Sequence, residues 1–78
     1  MIATNEQIIQ TIEQAMLRAE RRGDNWADAV DLALAKIGVE VDEEASRKAW
    51  LSDDRTIGVL SDGRWIWQAE DSKDIIIA

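Results

Sequence analysis

The stretch Thr56-Ile57-Gly58-Val59-Leu60-Ser61-Asp62-Gly63-Arg64-Trp65-Ile66-Trp67-Gln68-Ala69 decides the fold. Apolar runs flank Asp62-Gly63 on both sides. Asp-Gly in that setting is the strongest short hairpin signal, because a type I′ turn needs positive φ at both central residues. Strands are expected at Thr56–Ser61 and Arg64–Ala69. A two-residue turn sets Ser61 opposite Arg64, Leu60 opposite Trp65, Val59 opposite Ile66 and Gly58 opposite Trp67. One face then carries Ile57, Val59 and Ile66, and the other Leu60, Trp65 and Trp67. Small antiparallel sheets usually keep one wet face, yet both faces here read as apolar. Two helices can cover one of them. A third helix, a second copy of the chain or a partner must cover the other.

Downstream, Glu70-Asp71-Ser72-Lys73 reads as a turn and Asp74–Ala78 as a third, terminal strand. The run Ile75-Ile76-Ile77 makes that strand a sticky edge if nothing lies along it. Upstream, Val39-Glu40-Val41 is extended and suits a short edge strand. Asp42 can cap a third helix over Glu43–Leu51, supported by Glu43–Arg47 and Glu44–Lys48 as acid-before-base pairs at i,i+4. A strand at Lys48–Leu51 is the alternative.

The N-terminal third predicts two helices. Thr4 and Gln7 form a capping box, and Ile8, Ile9, Ile12, Ala15, Met16 and Ala19 follow at helical spacing. Arg18, Arg21 and Arg22 lie toward the end favoured by cations, and Gly23 is a natural stop. This helix is expected over residues 5–22. Asp24 or Asn25 caps a second helix, with Trp26, Val30, Ala33, Leu34 and Ile37 as its stripe and Gly38 as its end. The short connection makes the helices antiparallel neighbours. Leu17 and Leu32 point away from both stripes, toward a third element or toward solvent. The expected architecture is α+β: an N-terminal antiparallel helical hairpin, a short third helix and a three-stranded antiparallel β-meander, as one domain over residues 1–78.

Composition narrows the chemistry. The 78 residues include no cysteine, histidine or proline, and four tryptophans are the only aromatics. Disulfides, soft metal ligands and the usual nucleophile–base arrangements are therefore missing. No nucleotide-binding glycine motif or calcium loop occurs. Acids sit at helix starts and turns, positions that need no catalytic explanation. No catalytic residue, metal site or cofactor is expected. The opening Met1–Glu6 lacks the basic start and long apolar run of a secretory signal, and no apolar stretch is long enough to span a membrane. A cytoplasmic location is expected.

Charge points to the class of partner. The net charge is −7; Met1–Val39 holds six acids and four bases, Glu40–Ala78 ten acids and five bases. An acidic surface disfavours direct contact with nucleic acid or an anionic membrane, and favours a basic protein or nucleoprotein complex. The candidate partner-binding residues are Glu40, Asp42, Glu43, Glu44, Asp53, Asp54, Glu70, Asp71 and Asp74. Trp65, Trp67 and Leu60 are a candidate apolar interface, and a homodimer through that face is the alternative. Each feature also has a plainer explanation. The acids can serve helix dipoles, turns and solubility, and the tryptophans can be core.

The whole-chain profile resembles the small, acidic proteins that phages encode to block host defences, the anti-CRISPR proteins. The resemblance lies in the clusters Glu40-Asp42-Glu43-Glu44, Asp53-Asp54 and Glu70-Asp71, and in the missing catalytic chemistry, rather than in a motif. It implies an inhibitor in the host-cell cytoplasm that occupies a basic nucleic-acid or effector surface on a CRISPR complex.

Overall fold

The computed structural model describes residues 3–69 and 74–78. The elements run α1 (Asn5–Arg22), α2 (Trp26–Lys36), α3 (Glu43–Ser52), β1 (Thr56–Val59), β2 (Trp65–Gln68) and β3 (Ile75–Ile77). The strands form an antiparallel sheet in the order β1-β2-β3. The α+β class with a β-meander is therefore the observed one. The chain divides into two compact units, Met1–Val39 and Glu40–Ala78.

In the first unit, local signals set the helix ends. The Thr4 hydroxyl accepts from the Gln7 amide at 3.1 Å, and the Gln7 side chain accepts from the Thr4 amide at 2.9 Å. This reciprocal box satisfies two donors that the first turn leaves open. Gly23 closes α1 at φ 72°, and its N–H donates to the Ala19 carbonyl. Asn25, rather than Asp24, caps α2, with its side-chain oxygen 2.9 Å from the Ala27 amide. The two helices pack against each other. Ile8, Ile12, Ala15 and Ala19 meet the core from α1, and Val30, Ala33 and Leu34 from α2. Full burial of each large side chain stabilises by about 1.5–3 kcal/mol. Trp26 and Ile37, expected in the α2 stripe, are exposed instead. They sit at the first residue of the helix and just past its last turn, where the stripe has run off the end. Leu17 and Leu32 are exposed as well.

The second unit begins along the outer edge of β1. Val41 bridges Leu60 in antiparallel fashion. The Asp42 amide donates to the Val59 carbonyl at 2.9 Å, and the Ser61 amide to the Glu40 carbonyl at 3.0 Å. Asp42 then caps α3 through the Ala45 amide. The segment Lys48–Leu51 is helical, so the strand alternative is excluded. α3 packs against β1 and completes the cover of its edge. The Ser46 hydroxyl accepts from the Val59 amide at 2.8 Å and donates to the Val59 carbonyl at 3.2 Å.

The hairpin register differs from the expected one by one residue. Val59 opposes Trp65, Gly58 opposes Ile66, and Thr56 opposes Trp67, with an irregularity between Thr56 and Gly58. The cause is the turn. Leu60 donates to the Arg64 carbonyl at 2.8 Å, and Gly63 donates to the Leu60 carbonyl at 2.9 Å. Three residues, Ser61-Asp62-Gly63, therefore make the loop. Only Gly63 has positive φ, at 96°, as in a three-residue loop that ends in a glycine bulge. A one-residue slip exchanges side chains between faces, so the expected grouping is corrected. Val59, Trp65 and Trp67 share one face with Ile76, which pairs with Trp67. Leu60 and Ile66 take the other face, together with Ile75 and Ile77. Gly58 does not oppose Trp67, and a Cβ there would lie 3.5 Å from the Ser46 Oγ.

Candidate functional site

The main candidate is the part of the sheet where β2 and β3 are exposed; on the same face, Val59 and Thr56 of β1 are buried. Ile66 is 1% exposed and Leu60 and Ile75 are buried, so the face they share is a core face. Trp65 is 46% exposed and Ile76 39%, with Trp67 half-buried between them. Alternation along β2 puts both tryptophans on the same side. The β2–β3 pairing sets Ile76 beside Trp67. The structure thus keeps Trp65 and Trp67 together as a candidate interface and removes Leu60, which the one-residue slip turns into the core. It adds Ile76, which hydropathy alone could not assign to either face. On α3, Trp50 and Leu51 are also exposed; the weak apolar stripe of that helix was the signal for them.

The acidic residues gather at two ends of the second unit. Glu40, Asp42, Glu43 and Glu44 lie at the start of α3. The Ser61–Asp62 turn lies beside them, since the Ser61 amide reaches the Glu40 carbonyl and the Ser61 hydroxyl lies 3.5 Å from Glu40 Oε2. Asp53 and Asp54 follow the far end of α3, about 15 Å away at 1.5 Å per residue. Asp74 is at that end too, through the Gln68–Arg55 and Ala69–Asp74 backbone bonds. Glu70 and Asp71 lie outside the described residues.

Several of these acids have local structural tasks. Asp42 is the cap of α3, and Glu43 and Glu44 complement its dipole. Glu44 also reaches Lys48 at 3.5 Å across open solvent. Asp53 and Asp62 repeat one device, an aspartate two residues before an arginine. The Asp53 carboxylate accepts the Arg55 amide at 3.0 Å and is gripped by its guanidinium at 3.2 Å through two nitrogens. Asp62 holds the Arg64 amide at 3.0 Å and its guanidinium at 2.8 Å. In each case the arginine side-chain hydrogen bond comes first in holding the carboxyl below the usual aspartate range, with the backbone amide second. Each device steadies the entry to a strand, β1 or β2, and neutralises the acid where it stands. Glu40, Asp42, Glu43, Glu44, Asp54 and Asp74 are the other exposed acids among the described candidates.

No known family model, curated protein or solved structure matches this chain. The site rests on its own geometry. Among the described residues no cluster of three acidic side chains is placed to hold a metal ion, and no helix is long and apolar enough to cross a membrane. The helical unit has a shallow groove of about 350 Å³ between α1 and α2, floored by Ala15, Ala19 and Ala33 and edged by Arg18, Arg22 and Asp28. The alanine spacing in both helices was its signal in the sequence.

Proposed function

We propose that this protein works without catalysis, as an inhibitor or adaptor that docks on a basic protein or nucleoprotein surface. The observation that carries the reading is the Trp65–Trp67–Ile76 face, apolar and open to solvent in an acidic unit. Tryptophan in an accessible apolar patch is the residue type that dominates binding energy at interfaces. A charged rim adds little affinity but steers association and rejects partners of the wrong sign. Glu40, Glu43 and Glu44 bring negative charge to the same unit, and the chain's net −7 disfavours an acidic counterpart. The profile shared with anti-CRISPR proteins fits this reading: a basic nucleic-acid channel would be the docking surface, and the acids would occupy it in place of phosphates.

The test is capture from a lysate of the encoding cell at low salt, with wild type, Trp65→Ala and Glu43→Lys with Glu44→Lys. Loss of a single hot-spot tryptophan weakens binding by at least about 2 kcal/mol, roughly thirtyfold. Both variants should lose the same basic polypeptide while keeping their circular-dichroism spectrum. High salt should release it. Capture that is indifferent to both variants would remove the proposal.

A further inference from the structure

Asp62-Gly63 makes the hairpin turn, and the same pair carries a covalent chemistry that folding does not use. It is the only place where an aspartate or asparagine precedes a glycine. Glycine has no Cβ to keep its nitrogen away from the preceding side chain. Ser61, Asp62 and Gly63 are all exposed, and nothing lies within 4 Å of where a Gly63 Cβ would stand. Water, the Gly63 nitrogen and the Asp62 carboxyl therefore share one open bend. The folded hairpin nevertheless holds both groups. The Gly63 N–H donates to the Leu60 carbonyl at 2.9 Å. Asp62 Oδ1 accepts the Arg64 amide at 3.0 Å, and Oδ2 accepts Arg64 Nε at 2.8 Å, with Nη2 also 2.8 Å away. These bonds favour the ionised carboxyl, and a carboxylate is a poor electrophile.

We propose that Asp62-Gly63 is a modification site at which the chain isomerises to isoaspartate, and that the Arg64 grip keeps it closed in the folded hairpin. In the first step the Gly63 nitrogen attacks Asp62 Cγ. The carboxyl hydroxyl departs with the amide proton as water, and a succinimide ring remains. Water then adds to either ring carbonyl. Addition at Cγ returns aspartate. Addition at the former main-chain carbonyl gives isoaspartate, whose main chain runs through Cβ and Cγ. The water lost is regained, and no oxidant or cofactor enters. The hairpin opposes the first step in three ways. The side-chain bond to Arg64 holds the carboxyl below the usual aspartate range, so the departing group would be oxide rather than hydroxide. Bonds to both oxygens fix the direction in which Cγ faces. The Leu60 carbonyl occupies the N–H that must be lost. Local opening removes all three together, so isoaspartate accumulates from opened molecules. In the product the carboxylate is attached directly to Cα, and the contacts of Asp62 with Arg64 cannot re-form unchanged. Asp53 has the same grip from Arg55, but Asp54 follows it instead of a glycine.

The test is incubation of the full chain in warm neutral buffer, followed by peptide mapping. Chymotryptic cleavage after Leu60 and Trp65 frees residues 61–65, in which Asp62 is the only acid. Its isoaspartyl form elutes separately at unchanged mass. Wild type unfolded in guanidinium chloride should isomerise fastest, and folded wild type slowest. Arg64→Ala should isomerise about threefold to fivefold faster than folded wild type, the factor that one exposed ion pair supplies. Arg64→Lys keeps a cation without the planar fork; its rate should lie between the two, and it carries the comparison if Arg64→Ala fails to fold. Arg55→Ala should match wild type. Equal rates in folded and unfolded wild type would overturn the proposal, as would an unfolded chain that forms no isoaspartate. Wild-type rates in the folded Arg64 variants would do the same. So would an equal acceleration by Arg55→Ala, which would trace the effect to a loosened fold rather than to the grip on Asp62.

Discussion

Ser46→Ala removes one oxygen and tests how the β1 edge is closed. The hydroxyl is part-buried and is the acceptor for the Val59 amide at 2.8 Å. The Val59 carbonyl keeps the Asp42 amide at 2.9 Å, so the carbonyl stays satisfied and the amide does not. An orphaned donor in a partly dry site costs about 1–3 kcal/mol, and the midpoint, about 2 kcal/mol, is the expected loss. With a urea slope near 1 kcal/mol/M for a small chain, the unfolding midpoint should fall by about 2 M. Three of the four tryptophans, Trp50, Trp65 and Trp67, belong to this unit and report its unfolding by fluorescence. Ser52→Ala is the control. That hydroxyl donates only to the Lys48 carbonyl one turn back, on an exposed surface, and its loss should be near neutral. Hydrogen exchange adds a residue-level readout, because the Val59 amide should lose protection in Ser46→Ala alone. A midpoint within about 0.5 M of wild type, with Val59 still protected, would refute the idea that Ser46 closes this edge.

Two further outcomes follow from the turns. Gly63→Ala should cost about 1–2 kcal/mol through backbone strain alone, because φ is 96° and nothing lies within 4 Å of an added Cβ; thermal unfolding will show it, and Gly63→Asn should recover part of the loss. Asp53 and Asp62 should titrate below ordinary aspartates in carboxyl NMR, and Arg55→Ala or Arg64→Ala should raise the matching midpoint. The sign follows from linkage: a carboxyl lowered in the folded state stabilises above its unfolded pKa, and that stabilisation disappears as pH falls through the folded value. Both groups are solvent-exposed, so the stability change is small and the titration itself is the measurement.

The N-terminal helix was fully legible because its ends are set by neighbours in sequence. Thr4, Gln7 and Gly23 do their work within a few residues of one another. The sheet order was legible for the same reason. The register was not, because Asp62-Gly63 suits two loops equally well. It can be the centre of a two-residue turn, or the last two positions of a three-residue turn whose final glycine forms the bulge. The choice rests on remote bonds, Val59 to Ser46 and to Asp42, together with the irregularity near Ile57. No local pattern encodes these. The error passed directly into the candidate site: it put Leu60 beside the tryptophans and gave no reason to single out Ile76. The acids were legible as clusters. Their tasks were only partly so, since the grip of Arg55 on Asp53 depends on a turn geometry that composition does not reveal.

The sides of the sheet are fixed by partners across the hairpin and not by the length of the bend. The indoles of Trp65 and Trp67 share a side with Val59 because Val59, and not Leu60, stands across from Trp65. A chain that lost one residue from Ser61-Asp62-Gly63 but kept Leu60 across from Arg64 would present the same two indoles to water. The bend can therefore drift in length while the outward chemistry stays as it is.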